Sequence, residues 1–181
     1  MSDLLQALPD LVAAKVRTVL PALRTCEGTE GRFNLERLKS KSIPAPAVLV
    51  SIIGLRQREG AAGPGHRFAL DMTAFIVTRD VPALPRDRAA AAIAQAICTL
   101  VPDKRWGRVE CGEAERVEAQ PLVTRATDGA AASLWAVSWV QPCTLALAPV
   151  PEPIDPAVYL GQAPLIGEDH EDDYDLIGGE A

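Results

Sequence analysis

Histidine is scarce in this chain, with two in 181 residues, His66 and His170, and its four cysteines, Cys26, Cys98, Cys111 and Cys143, include no C-x-x-C pair. His66 falls near an expected loop tip and His170 in an acidic run, so a Ser-His or Cys-His nucleophile is hard to assemble. Zinc ligation needs closer clusters of Cys and His than these spacings provide. The cysteines read instead as small hydrophobes, buried and reduced. No apolar run reaches the roughly 18 residues of a membrane span, because Pro, Arg or Asp interrupts each candidate. Met1-Ser2-Asp3 lacks the basic and apolar regions of a signal peptide, and synthesis inside the cell is the expectation. Nothing here predicts a catalytic residue, a metal site or a cofactor.

Basic residues are also missing from one end. All 18 Lys and Arg precede Ala148, together with 15 of the 24 acids, which leaves +3 on residues 1–148. Residues 149–181 carry the other 9 acids and no Lys or Arg, hence −9. The division suggests a body with an interaction tail. A body charge of +3 without a basic run among aromatics gives no nucleic-acid footprint.

The best-specified stretch is 67–101. Phe68, Leu70, Met72, Ala74 and Ile76 alternate with Asp71 and Thr73, the period of a pleated strand. After Asp80-Val81-Pro82-Ala83-Leu84-Pro85, the run from Arg86 to Val101 places Ala89, Ile93, Ala96, Ile97 and Leu100 on one helical stripe. Residues 3–23 predict another helix, with Leu4, Leu8, Leu11, Val12, Lys15, Val16, Val19 and Leu23 at helical spacing and a break expected at Pro9. Residues 24–42 read as irregular, with Asn34 a cap for a short turn.

The near-continuous apolar run Ala47-Val48-Leu49-Val50-Ser51-Ile52-Ile53-Gly54-Leu55 suits a strand buried on both faces. Arg56-Gln57-Arg58-Glu59 and Gly60-Ala61-Ala62-Gly63-Pro64-Gly65 then lead back to Arg67, so a long antiparallel hairpin is expected. The glycines lack a following Gly-Lys-Ser/Thr and a helix, and a hairpin tip accounts for them better than a phosphate loop. Glu110, Glu113, Glu115 and Glu118 read as a solvated connector, and residues 116–127 as a weak strand. Asp128-Gly129 signals a turn into Ser133–Gln141. There Trp135, Val137 and Trp139 share one face; they read as core or subunit interface, with a ligand platform as the rival reading. The strand continues to Leu147 past Pro142, where proline implies an edge or a bulge.

Beyond Ala148, Pro149, Pro151, Pro153 and Pro156 make an extended arm, followed by the apolar hooks Tyr159-Leu160 and Leu165-Ile166. The acidic run 168–175 ends it and is expected to be disordered alone. Its spacing is not that of a calcium loop. The fold class expected is α+β: a mostly antiparallel sheet covered on one side by two helices, with a long β-hairpin and an extended C-terminal arm. The domains expected are a body, 1–148, and the arm, 149–181.

The order of these elements resembles the tail terminator proteins of long-tailed bacteriophages, of both the lambda-like and the Mu-like groups. Ile43–Val50, Phe68–Thr78 and Leu134–Gln141 carry the resemblance, with the proline arm and Tyr159-Leu160-Gly161, over most of residues 1–160. It implies a virion protein at the head-proximal end of the tail. Such subunits form a ring, a hexamer in that family, which caps the tube protein, halts its growth and presents a surface to the neck. Arg56, Arg58, Glu59 and Arg67 are then candidates for contact with the next subunit or the tube, and Tyr159, Leu160, Leu165 and Ile166 for anchoring the arm. Partners implied are further copies of the chain, the tube protein and a neck or connector protein, with no membrane, nucleic-acid specificity or cofactor. Rival readings are another head–tail connector, or a small ligand-binding module built on Trp135 and Trp139.

Overall fold

The structure, a computed structural model, describes residues 4–31, 43–59, 65–81, 84–122, 132–146, 158–160 and 175–178. In chain order they form α1 (Leu4–Val19), β1 (Thr25–Gly28), β2 (Ala47–Gln57), β3 (His66–Arg79), α2 (Arg86–Leu100), β4 (Glu115–Pro121), β5 (Ala132–Leu145), β6 (Val158–Leu160) and β7 (Asp175–Gly178). The chain divides into two units, Met1–Leu147 and Ala148–Ala181. In the first, a five-stranded sheet runs β1-β2-β3-β5-β4. In the second, β6 and β7 pair antiparallel, so residues expected to trail as an arm and an acidic run include two short strands that meet.

The fold is α+β, but the sheet is mixed. β1 lies parallel to β2, while β2–β3, β3–β5 and β4–β5 are antiparallel. Residues 25–28, expected to be irregular, are a strand because α1 holds them. Arg17 Nη2 donates to the Cys26 carbonyl at 3.1 Å, the Cys26 thiol donates to the Ala13 carbonyl at 3.1 Å, and the Gly28 N–H donates to Asp10 Oδ1 at 3.0 Å. A Cβ on Gly28 would lie 2.9 Å from the Asp10 backbone nitrogen, so the close approach of helix and strand requires glycine.

Opposite faces of the sheet carry separate clusters. Val48, Val50, Leu70, Met72, Ala74, Ile76, Val137 and Trp139 face α1 and α2. Ala47, Leu49, Phe75, Val77, Leu134 and Ala136 form the other cluster. The alternation expected for β3 and β5 is therefore present. Burial on both faces of β2 is narrower than the apolar run suggests: it covers Ala47–Ser51, after which the strand is largely exposed.

α1 buries Leu4, Leu8, Val12, Ala13 and Val16 and leaves Lys15 and Val19 outside. Pro9 lies within the helix rather than at a break. Its missing N–H forgoes one bond to the carbonyl of Leu5, an exposed residue. α2 buries Ala90, Ala94, Ile97 and, just past its end, Val101. That stripe lies about a quarter turn from the expected one. Small Ala90 and Ala94 seat the helix close to the sheet, with Ile93 and Leu100 as partly buried flanks. The helix starts at Arg86 because Asp80 Oδ1 accepts its N–H at 3.0 Å.

Residues 101–114 are fastened to β5 by Gln141, which is fully buried. Its Oε1 accepts the indole N–H of Trp106 at 2.7 Å and of Trp139 at 3.2 Å. Its Nε2 donates to the carbonyls of Gly112 at 2.6 Å and Lys104 at 3.1 Å. Indoles only donate and carbonyls only accept, so chemistry fixes the orientation of the amide. Next to it, Pro142 needs neither the edge nor the bulge its type suggests. It pairs with Ala69 of β3 in unbroken register, and its carbonyl accepts the Gly112 N–H at 2.8 Å. The reciprocal bond, to the Gly112 carbonyl, is the one proline cannot make, and Gln141 Nε2 supplies it.

Replacing Gln141 by Met, similar in length and apolar, strands the two indole N–H groups and the Gly112 carbonyl at once, while the Lys104 carbonyl keeps the Ala114 N–H at 3.1 Å. Urea unfolding of Gln141→Met should show a loss on the order of 3–5 kcal/mol. A loss below about 1 kcal/mol would remove Gln141 from its organising role.

Candidate functional site

The second face of the sheet changes character along its strands. At one end Leu49, Phe75 and Ala136 stand side by side on β2, β3 and β5. The middle is polar: Ser51, Thr73, Ser138 and Glu118 line up across β2, β3, β5 and β4, with Thr73 Oγ1 and Ser138 Oγ hydrogen-bonded at 3.1 Å. The far end carries Gly54, Asp71, Val140 and Glu115 in one row. Hydrophobic burial thus gives way to charge over a few residues.

A bulge sets this arrangement. The β2–β3 register shifts between Ile52, opposite Met72, and Gly54, opposite Asp71, leaving Ile53 unpaired. Without that extra residue, Leu55 and Arg56 would exchange faces. With it, Arg56 reaches Asp71 at 2.6 Å and Leu55 points to the helix side. Gly54 leaves room for this pair, since a Cβ there would meet Asp71 Oδ2 at 2.8 Å. Ile53 and Leu55 remain 40% and 44% exposed, one on each face of the same strand end.

Of the residues expected to make contacts, the body brings Arg56, Arg58, Glu59 and Arg67 together at this end of β2 and β3. The Arg58 N–H donates to the Arg67 carbonyl at 2.8 Å, and the Arg58 side chain pairs with Glu115 at 3.3 Å. Glu59 and Arg67 are exposed. His66 is not on a loop tip but opens β3, opposite Leu145. Tyr159 and Leu160 lie on β6 of the second unit, while Leu165 and Ile166 lie outside the described residues, as do Gly60–Pro64, Asn34 and Asp128-Gly129.

A groove of about 450 Å³ crosses the charged end, lined by Ile53, Arg56, Asp71, Arg116, Glu118 and Gln120. Sequence reasoning missed Asp71, Glu115 and Arg116 as members of this surface. Glu115 and Glu118, read as connector, lie on β4, which spans Glu115–Pro121; residues 123–127 of the expected strand lie outside the described residues. The larger cleft, about 950 Å³, opens on the helix side between α1 and the ends of β1 and β2, with Leu5, Pro9, Asp10, Glu27, Glu30 and Leu55 on its walls. Among the described residues no group of three or more His, Cys, Asp or Glu is placed to hold a metal ion. Likewise, no described helix is long and apolar enough to cross a membrane.

Trp106 and Trp139 belong to the interior, while Trp135 is half-buried at its edge. Trp139 is buried, packs on Trp106 with ring centroids 6.3 Å apart, and spends its N–H on Gln141. A ligand platform needs an open ring face, so that reading fails for Trp139. The cysteines are all free thiols, but Cys98 is only partly buried, against expectation. Burial pushes the Cys26 and Cys98 thiols above their ordinary range. No protein-family model matches the chain, and no curated protein matches it either.

Because the Gly54 site is closed by the Asp71 carboxylate, Gly54→Ala should destabilise the body by about 1–2 kcal/mol. In an Asp71→Ala background the same change should cost under about 0.5 kcal/mol. Equal costs in the two backgrounds, measured by denaturant unfolding, would show that the carboxylate is not what the methyl group meets.

Proposed function

We propose that this chain is a structural virion protein: a ring-forming tail terminator that caps the phage tail tube, stops its polymerisation and offers a joining surface to the neck. The observation that carries the proposal is the β2–β3 end. There Arg56, Arg58, Glu59 and Arg67 gather at the strand end where Ile53 and Leu55 leave aliphatic side chains exposed, one on each face. Exposed aliphatic groups next to charge suit protein contact. A further support is that the three stretches carrying the family resemblance supply β2, β3 and β5, which lie next to one another in the sheet.

In this reading the chain works by shape and charge alone. Contacts of one patch with a different patch on the next copy close a ring when the rotation closes, which gives a finite cap, most simply a hexamer. The β2–β3 hairpin projects toward the neighbouring copy or the tube. Residues 149–181 reach a neighbour: β6 folds back on β7, so the reach comes from the nine residues before β6, which span up to roughly 30 Å when extended. Tyr159, Leu160, Leu165 and Ile166 anchor them, because charge alone does not repay the entropy of ordering an arm.

The exposed ion pairs contribute little to the fold, at most about 1 kcal/mol each. Arg56→Glu combined with Arg58→Glu should therefore leave a folded body, yet abolish the ring in native mass spectrometry. Truncation after Ala148 should also leave a folded subunit, one that assembles poorly. Particles lacking the protein should carry overlong tails. Tails of normal length without heads would instead make it a connector, and a monomer in solution indifferent to tube protein would end both readings.

A further inference from the structure

Cys111 and Cys143 face each other across two antiparallel segments, with their sulfur atoms 3.2 Å apart. The backbone around them is set by two hydrogen bonds, from the Gly112 N–H to the Pro142 carbonyl and from the Thr144 N–H to the Glu110 carbonyl, each 2.8 Å. Those bonds flank the cysteines, which therefore occupy a non-hydrogen-bonded pair position. Residues at such positions have Cα atoms about 4.5 Å apart, within the range that a disulfide spans. Closing the S–S bond requires the sulfurs to approach by about 1 Å, to roughly 2.05 Å.

We propose that Cys111 and Cys143 are an oxidation site, joined into a disulfide by small-molecule disulfides such as oxidised glutathione. The proposal is independent of the assembly function argued above. Cys111 is the attacking sulfur. The hydrogen bond from Cys143 lowers its pKa, against burial and Glu110, and Arg108 lowers it further; the same hydrogen bond, with burial, raises Cys143.

The step balances as thiol–disulfide exchange. The Cys111 thiolate attacks one sulfur of the oxidant, forms a mixed disulfide and expels one glutathione thiolate. Cys143 gives up its proton to that thiolate, attacks the Cys111 sulfur and expels the second glutathione. One oxidant S–S bond and two protein S–H bonds become one protein S–S bond and two glutathione S–H bonds, a two-electron transfer.

Both thiols are nearly out of reach of solvent, 2% and 3% exposed, so attack awaits local opening of the segment around Cys111. That segment carries its own ion pairs, Arg108–Glu110 at 2.9 Å and Arg105–Glu113 at 3.0 Å, on the outer side. Once formed, the bond ties residues 32 apart in sequence and fixes the 101–114 segment to β5 by a covalent link beside Gln141.

The test uses the full-length reduced protein, incubated with oxidised glutathione, alkylated after denaturation and mapped by peptide mass spectrometry. A linked Cys111–Cys143 peptide is expected, with Cys26 and Cys98 alkylated, and dithiothreitol should reverse it. The oxidised protein should unfold on the order of 10 °C higher than the reduced form. Cys143→Ser should halt the reaction with one glutathione on Cys111, while Cys98→Ser should behave as the parent. Linkage between other cysteines, or Cys111 and Cys143 both remaining alkylatable in the parent and in Cys98→Ser, would overturn the proposal.

Discussion

A primary amide has two lone pairs and two N–H bonds, and in Gln141 all four are used inside the body. Burying such a group without partners costs several kcal/mol, so the residue is tolerable in the core only when its surroundings are built to match. They are supplied by one tryptophan on its own strand, one tryptophan at position 106, and two carbonyls at 104 and 112. The loop after α2 therefore has one place to lie. Its return past Gly112 allows Cys111 to meet Cys143 and lets the chain enter β4 beside β5. Pro142 sits inside a continuous pairing with β3 because its backbone polar groups face Gly112 on the other side, and there the same amide substitutes for the hydrogen bond that proline lacks.

The opposite end of the strands obeys a different constraint. There the sheet extends beyond what α1 and α2 cover, and its residues must be acceptable to water. The bulge at Ile53 reverses the parity of β2, sending Arg56 to the side of Asp71 and Leu55 to the helix side. One inserted residue thus decides which side of the sheet is charged. Gly54 is part of the same device, because only a residue without a side chain admits the Asp71 carboxylate at that distance.

Strong local periodicity made β3, β5 and both helices legible in the sequence, and with them the α+β class. Phe68, Leu70, Met72, Ala74 and Ile76 alternate with polar neighbours, and no competing pattern fits. β1 was illegible because Thr-Cys-Glu-Gly has no period; it is a strand through what Asp10, Ala13 and Arg17 of α1 do to it. The stripe of α2 was misplaced because hydrophobicity favours Ile93 and Leu100, while packing against a flat sheet favours the small Ala90 and Ala94. Proline rules misjudged Pro9 and Pro142 because the cost of the missing donor is set by what it would have met: for Pro9 the carbonyl of exposed Leu5, and for Pro142 the Gly112 carbonyl, which Gln141 takes instead. Of the candidate surface, the arginines were legible from their charge and position after an apolar run. Their partners Asp71 and Glu115 were not, since they come from strands 15 and 57 residues away.

These contacts bear on how the proposed ring surface would work. Arg56 has its side chain 67% exposed while bonded to Asp71, so water already competes for it and exchanging Asp71 for an acid on another molecule costs little. Such groups choose partners and registers more than they hold them. Holding must come from apolar area, and Ile53 and Leu55 offer it on both faces of one strand end. A contact that buries the two aliphatic residues while trading one set of ion pairs for another would be gained only against a surface with matching charges, which is the selectivity a cap requires if it is to seat on a tube end and not on itself without limit.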